Sequence, residues 1–249
     1  MDLMNYNYLI ETEESTKAYT EKDRAYWFNK LPDLINSLFE CNYFIKWDDN
    51  TDDENNFIIF ANSTYQQLPY MFRVLEILYL NGFYFESTII IRTIYEMFVK
   101  LRYFHKYKDK CLPYSQKKLK IQYKLMFDEF SPGLYEILYG MLLSEFAHGG
   151  FGVSIFRNKF SPPNMIEPIL GNFYSESFAN LTINACTQLI YGYLNYIPTF
   201  FNLYTETATP EIKVKMLENI KLREERINDQ IRNHPKVAEF YDLLFPLIK

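Results

Sequence analysis

The chain has 249 residues, of which 48% are hydrophobic and 18% aromatic, so it is long enough to bury a sizeable core. Its 8 glycines argue against a turn-rich β fold, and its net charge of -5 does not require a broad basic face, although a local basic patch is compatible with it. The three cysteines are isolated in the sequence, which disfavours a zinc or disulfide scaffold and favours a cytoplasmic protein.

The N-terminal part of the chain is predicted to become helical after a loose start. Residues 1–14 show no helical period and are predicted to form a loosely ordered arm, and residues 15–249 are predicted to form one all-helical domain. Helix signals begin near Thr20, and a second helix starts at Pro32. The acidic stretch 47–56 lacks the glycine and the final glutamate of a calcium loop, so we expect a solvated loop there.

Residues 83–105 are predicted to form the helix at the centre of the fold. The preceding helix, predicted at 57–80, ends before Gly82, because glycine readily adopts the left-handed conformation that terminates helices. Within the central helix, Arg92 and Glu96 are four residues apart and therefore lie on the same side. The row that contains them continues in apolar and aromatic residues: Phe85, Ile89, Val99 and Tyr103.

The second half of the chain is predicted to be helical as well. The predicted helices lie, in chain order, at 115–130, 131–148, 175–204, 211–234 and 236–247, and residues 151–172 are predicted to be irregular. The uncharged run 177–205 is interrupted by asparagines and threonines, which indicates a buried helix and no membrane span. We therefore expect an all-α fold, a single irregular bundle of about eight to nine helices around helix 83–105.

Three histidines are the natural candidates for proton transfer, and their sequence neighbours differ. His105 lies among lysines and is predicted to be exposed, whereas His234 precedes a proline and is predicted to cap a helix end. His148 closes an apolar helix, with Ser144 one turn before it. His148 is the candidate acid or base, because imidazole titrates near neutral pH.

The candidate site combines Arg92, Glu96, Ser144 and His148. Arg92 can bind a carboxylate or a phosphate through two parallel hydrogen bonds, and His148 can carry a proton. Tyr103, on the same row of the central helix, is a further candidate binding residue. In the alternative interpretation, the same residues form a structural polar network between packed helices. The metal-binding and nucleotide-binding motifs are absent from the sequence, so neither a metal nor a cofactor is predicted.

Two short motifs resemble the signature of a bacterial family of uncharacterised all-helical proteins. In that family a glycine precedes a helix with R-[ST]-[LI]-x-E, and a later helix ends in S-x-[FY]-x-H; the corresponding residues here are Gly82, 92–96 and 144–148. Members are similar in outline to HEPN-type ribonucleases and abortive-infection proteins, which implies a role in antiviral defence. The arginine–histidine motif that HEPN ribonucleases carry on one helix is absent, so an equivalent site would combine Arg92 with His148.

Two functions follow as expectations. In the first, a defence- or toxin-associated protein acts on RNA or a nucleotide through Arg92, Glu96 and His148. In the second, the protein is a non-catalytic interaction or structural subunit that binds a partner or forms a homodimer. The 22 tyrosines and 22 phenylalanines favour some apolar surface, and hence a homo-oligomer, under either function.

Overall fold

The computed structural model describes residues 6–23, 31–39, 52–130, 135–136, 158–161, 165–168 and 175–201. The helices, in chain order, are α1 (Tyr6–Asp23), α2 (31–39), α3 (Asp53–Leu80), α4 (Tyr84–Lys106), a 3-10 turn (Lys108–Lys110), α5 (Cys111–Ser115), α6 (Tyr123–Asp128) and α7 (Glu176–Phe200). The predicted helical class is confirmed for these residues. The predicted helices 211–234 and 236–247, and nearly all of 131–148, lie outside them, so the predicted count stays a prediction.

A short antiparallel hairpin is the one β element among the described residues. Strands β1 (Asn158–Ser161) and β2 (Met165–Pro168) pair with Asn158 opposite Pro168 and Ser161 opposite Met165. The sequence predicted irregular structure over 151–172. The two strands were not predicted, because strands of four residues are too short to establish an alternating pattern.

The chain separates into two compact units, each made of three segments. Unit 1 comprises Met1–Asp33, Tyr70–Thr93 and Glu136–Cys186, and unit 2 comprises Leu34–Pro69, Ile94–Tyr135 and Thr187–Lys249. Helices α3, α4 and α7 each contribute residues to both units. The predicted single domain over 15–249 stays a prediction.

The core of unit 2 is built on tyrosines that are fully buried and hydrogen-bonded. The Tyr65 hydroxyl donates to the Tyr193 carbonyl at 2.7 Å, and the Tyr193 hydroxyl donates to the Ile94 carbonyl at 2.7 Å. The Phe98 ring meets the Tyr193 ring edge-on at 5.0 Å between centroids. Burial raises the pKa of Tyr193, so its hydroxyl remains a neutral donor. These bonds join α3, α4 and α7 within unit 2.

In unit 1, the junction between α3 and α4 shows why the chain turns at Gly82. Gly82 has φ 80°, its N–H donates to the Tyr79 carbonyl at 3.3 Å, and the Phe83 N–H donates to the Leu78 carbonyl at 2.9 Å. This pair of bonds is the Schellman motif, which satisfies the last carbonyls of a helix. The predicted glycine stop is confirmed. Tyr79 and Tyr84, on either side of this turn in the sequence, are buried in one cluster with Ala179 and Ile183.

The start of α1 differs from the prediction. Residues 6–14, which the sequence placed in a loosely ordered arm, belong to a helix that continues through Thr20 to Asp23. The two buried side chains of this helix are Thr16 and Thr20, whereas Tyr6 and Tyr19 are exposed. The sequence of α1 therefore lacks the apolar stripe by which a helix is usually predicted.

Two further boundaries are corrected. The second half of the predicted acidic loop 47–56 forms the first turn of α3, where the Asn55 N–H donates to the Asp52 side chain at 2.7 Å in an N-cap contact. The predicted helix 115–130 is interrupted: α5 ends at Ser115, Lys117 adopts a left-handed φ of 59°, and α6 begins at Tyr123.

Among the described residues, no helix combines the length and the apolar character needed to cross a membrane.

Candidate functional site

The predicted site residues are only partly described by the structure. Arg92 and Glu96 lie one turn apart on α4, and both are half-buried. In the row that contains them, Phe85, Val99 and Tyr103 are buried, and Ile89 is 43% exposed. Ser144 and His148 lie outside the described residues. Their convergence with Arg92 and Glu96 stays a prediction.

The structure contradicts the predicted exposure of His105. The sequence predicted an exposed side chain, but the imidazole is half-buried and packs on the rings of Phe57 and Phe200 at centroid distances of 5.4 and 5.6 Å. Burial, followed by the positive charge of Lys108, lowers the pKa of His105, and the Glu54 carboxylate and a hydrogen bond to the Thr199 backbone oppose this shift. The phenylalanines come from α3 and α7, far away in the sequence.

The lowered pKa of His105 predicts that acid destabilises the fold. A folded-state pKa below the ordinary value of 6.5 means that the unfolded chain binds the proton more tightly, so the stability present above pH 6.5 falls as the pH is lowered below it. We expect the melting temperature of His105→Gln to fall less than that of the wild type over this range, as measured by circular dichroism. Parallel pH profiles for the two proteins would contradict this assignment.

The strongest charge feature of the described residues is the basic segment, which we define as residues 100–124. It contains nine lysines and arginines and one acid, Asp109, whereas the whole chain has 26 basic and 31 acidic residues. All of it lies in unit 2. A chain with net charge -5 therefore concentrates positive charge in one continuous stretch.

The cations at the start of the basic segment are held by aromatic rings. The Arg102 guanidinium lies 4.4 Å from the ring centroid of Phe130 and 5.1 Å from that of Tyr196. The Lys100 ammonium lies 4.9 Å from the ring centroid of Tyr123. Such contacts favour a cation over the face of a ring. Burial lowers the pKa of Arg102, which nevertheless remains charged at neutral pH. These two cations stabilise the packing of unit 2.

The cations at the end of α4 have acidic or phenolic partners. Lys108 pairs with Glu54, and Lys106 pairs with Glu129, which also accepts a hydrogen bond from the Tyr107 hydroxyl at 3.0 Å. The Lys110 ammonium lies 4.1 Å from the ring centroid of Tyr107. It also lies 3.3 Å from the hydroxyl of Tyr103, the predicted binding residue, whose side chain is buried. Tyr103 therefore contacts Lys110 through its hydroxyl.

Beyond α5, the basic segment projects its charges outward. The exposed lysines are Lys117, Lys118, Lys120 and Lys124. The turn that carries the first of them is fixed by backbone hydrogen bonds from Lys118 and Leu119 to the Pro113 carbonyl, at 2.9 and 3.1 Å. The tyrosines at 114 and 123, which are close to these lysines in the sequence, are half-buried. Exposed cations next to aromatic rings are typical of surfaces that bind nucleic acid.

The basic segment is a charge feature that reasoning from sequence motifs missed. The lysines after the central helix are visible in the sequence, but none of them belongs to a recognised motif. A count of charges in a window of 25 residues would have revealed the segment, because Asp109 is its single acid. Among the described residues, no group of three or more His, Cys, Asp or Glu side chains is arranged to hold a metal.

Comparison of the chain with protein-family models, with curated proteins and with solved structures gives no match in any of the three searches. The function is therefore inferred from the residues and their geometry.

Proposed function

We propose that this protein binds single-stranded RNA along the basic segment 100–124. The observation that carries the proposal is the local charge: nine cations and one acid in 25 residues of a chain with net charge -5. Lysines that neutralise phosphates release counterions from a nucleic acid, and this release drives binding that does not depend on sequence.

The aromatic residues of the segment favour a single strand over a duplex. Tyr107, Tyr114 and Tyr123 lie among the lysines in the sequence, and all three are half-buried. Lys110 lies over the Tyr107 ring and Lys100 over the Tyr123 ring, so the rings already accept cations. Unpaired bases stack on tyrosine rings, whereas the bases of a duplex are already stacked on one another. The exposed lysines reach phosphates as flexible point charges, which suits a strand of variable shape.

The finer part of the proposal is that the bound RNA is cleaved. In this part Arg92 binds a phosphate, His148 acts as the acid or base, and Glu96 orients one of them. The support is the resemblance to defence proteins in the motifs at 92–96 and 144–148, together with the half-buried position of Arg92 and Glu96 on α4. A defence- or toxin-type role follows from the same resemblance.

A second candidate function is a protein–protein interaction subunit. A stripe of apolar side chains runs along α3 in unit 1, where Tyr70 is 67% exposed, Val74 44% and Ile77 45%. Their spacing places all three on one helix face, and contiguous exposed apolar groups mark contact surfaces. A second copy of the chain would bind there without any need for the basic segment, so the two functions are separable.

The test uses a fluorescein-labelled single-stranded RNA of about 12 nucleotides and reads anisotropy. We expect the wild type to bind it, Lys118→Gln/Lys120→Gln to bind about five- to tenfold more weakly, and the matched control Lys17→Gln/Lys22→Gln to bind like the wild type. The control removes two exposed lysines of α1 and therefore the same charge. Equal affinity of the two double variants would refute a site on the basic segment.

The same RNA tests cleavage when it is run on a gel after incubation with the protein. We expect the wild type to shorten the RNA, and Arg92→Ala and His148→Ala to leave it intact while they still bind it. If the wild type leaves bound RNA intact, the catalytic part of the proposal fails and RNA binding remains.

A further inference from the structure

The carboxylate of Glu129 lies among cations from the end of α4 and the turn after it. One of its oxygens, Oε1, accepts hydrogen bonds from both the Lys106 ammonium and the Tyr107 hydroxyl. The Lys110 ammonium faces the same Tyr107 ring and acts on Glu129 through its charge. Two donors, Lys106 and Tyr107, thus bind one anionic oxygen, and the charge of Lys110 adds to their attraction.

We propose that Lys106, Tyr107 and Lys110 form a phosphate-binding subsite, and that Glu129 occupies it in the free protein as an internal competitor of the RNA. This inference rests on the proposed RNA binding and names the point at which one backbone phosphate is held. A phosphodiester shares one negative charge between two terminal oxygens, as a carboxylate does, so the donors that hold Glu129 also fit a phosphate.

The surroundings of Glu129 allow a phosphate to replace its carboxylate in the subsite. Glu129 lies in the turn after α6, its side chain is 26% exposed, and the side chain of Lys106 is 55% exposed. Exposed ion pairs are weak in water, so the carboxylate can leave at little cost. The C-terminal end of α4 carries about half a negative charge, which two lysines outweigh. The pKa of Glu129 is lowered, chiefly by its hydrogen bond with Lys106, so it is ionised at neutral pH and competes as an anion.

The subsite is followed in the sequence by further exposed lysines. Lys106 and Lys110 belong to the same segment as the exposed lysines at 117, 118, 120 and 124. A strand that enters at the subsite would meet positive charge along the following residues. The internal carboxylate would then lower affinity for weak anions and leave a longer strand, which has several phosphates, able to displace it.

The experiment compares Glu129→Gln with Asp128→Asn by anisotropy with the same labelled RNA. The two variants remove one negative charge each from adjacent positions, and only Glu129 is seen to bind Lys106 and Tyr107. We expect Glu129→Gln to bind about three- to tenfold more tightly than the wild type, with a salt dependence steeper by about 0.7 in the logarithmic slope, and Asp128→Asn to change affinity less than about twofold.

A second arm removes the donor. Lys106→Gln/Glu129→Gln should lose the gained affinity, because the phosphate then lacks its main cation. Equal effects of the two single variants, or a gain that persists without Lys106, would overturn the subsite while RNA binding stands. Failure of the wild type and all variants to bind RNA would instead overturn the proposed function itself, and the subsite with it. Thermal melts of each variant verify that it folds.

Discussion

Replacement of Phe98 by alanine should lower the free energy of unfolding by about 3–5 kcal/mol, the cost of a large cavity in a packed core. Phe98 is fully buried on α4, and its ring contacts those of Tyr193 and Tyr196 of α7 at 5.0 and 5.3 Å. The alanine variant loses both contacts and leaves a void beside the ring of Tyr193, whose hydroxyl donates to the Ile94 carbonyl. The measurement is urea unfolding followed by circular dichroism.

Ile89→Ala provides the control on the same helix. Ile89 is 43% exposed, so its truncation should cost about 1 kcal/mol or less. Similar losses for the two variants would show that burial along α4 is not distributed as described. A change in the denaturant slope, with the midpoint unaltered, would point to an effect on the unfolded chain instead.

Reversal of three exposed charges should nearly abolish RNA binding. We expect Lys118→Glu/Lys120→Glu/Lys124→Glu to weaken binding on the order of 100-fold, because each change removes an attraction to phosphate and adds a repulsion. The three side chains are exposed, so the melting temperature should change little. Anisotropy with the labelled RNA measures the loss, and Lys17→Glu/Lys22→Glu on α1, compared with Lys118→Glu/Lys120→Glu, is the control for net charge.

Unaltered affinity of the triple variant would place the RNA elsewhere on the protein. Equal weakening by the control would mean that only the total charge of the protein matters. Loss of folding would be visible in the melts, and the glutamine variants described above then provide the test without charge repulsion.

The sequence located the central helix because its signals are local. A helix predicted at 83–105 is found at Tyr84–Lys106, since its apolar residues recur at helical spacing and Gly82 stops the helix before it. Helix α1 escaped prediction because the residues that it buries are threonines. The break at Lys117 escaped as well, because lysine rarely adopts a positive φ and no glycine or proline marks that position.

The environment of the candidate residues could not be predicted in the same way, because distant residues determine it. His105 is flanked by lysines in the sequence, but Phe57 and Phe200 decide its burial. Likewise, Lys106 meets a carboxylate that lies 23 residues away, and Lys108 meets one that lies 54 residues away. The cations themselves are visible in the sequence, but their partners and their exposure depend on the packing of unit 2.

For Arg92 and Glu96, the sequence predicts their relative position on α4 but not their surroundings. Their spacing placed them correctly on one side of α4, because helical geometry alone determines it. Both side chains are half-buried, which the spacing alone does not specify. A site that needs a second helix depends on long-range packing, which the spacing of residues within one helix does not specify.

The most direct test of the central claim is the salt dependence of RNA binding by the wild type and the triple glutamate variant. If the basic segment holds the phosphates, the logarithm of the wild-type association constant should fall with the logarithm of salt concentration with a slope of about -3 or steeper, and the variant should lose about two units of that slope. A wild-type slope near zero, or the same steep slope in both proteins, would contradict RNA binding along residues 100–124.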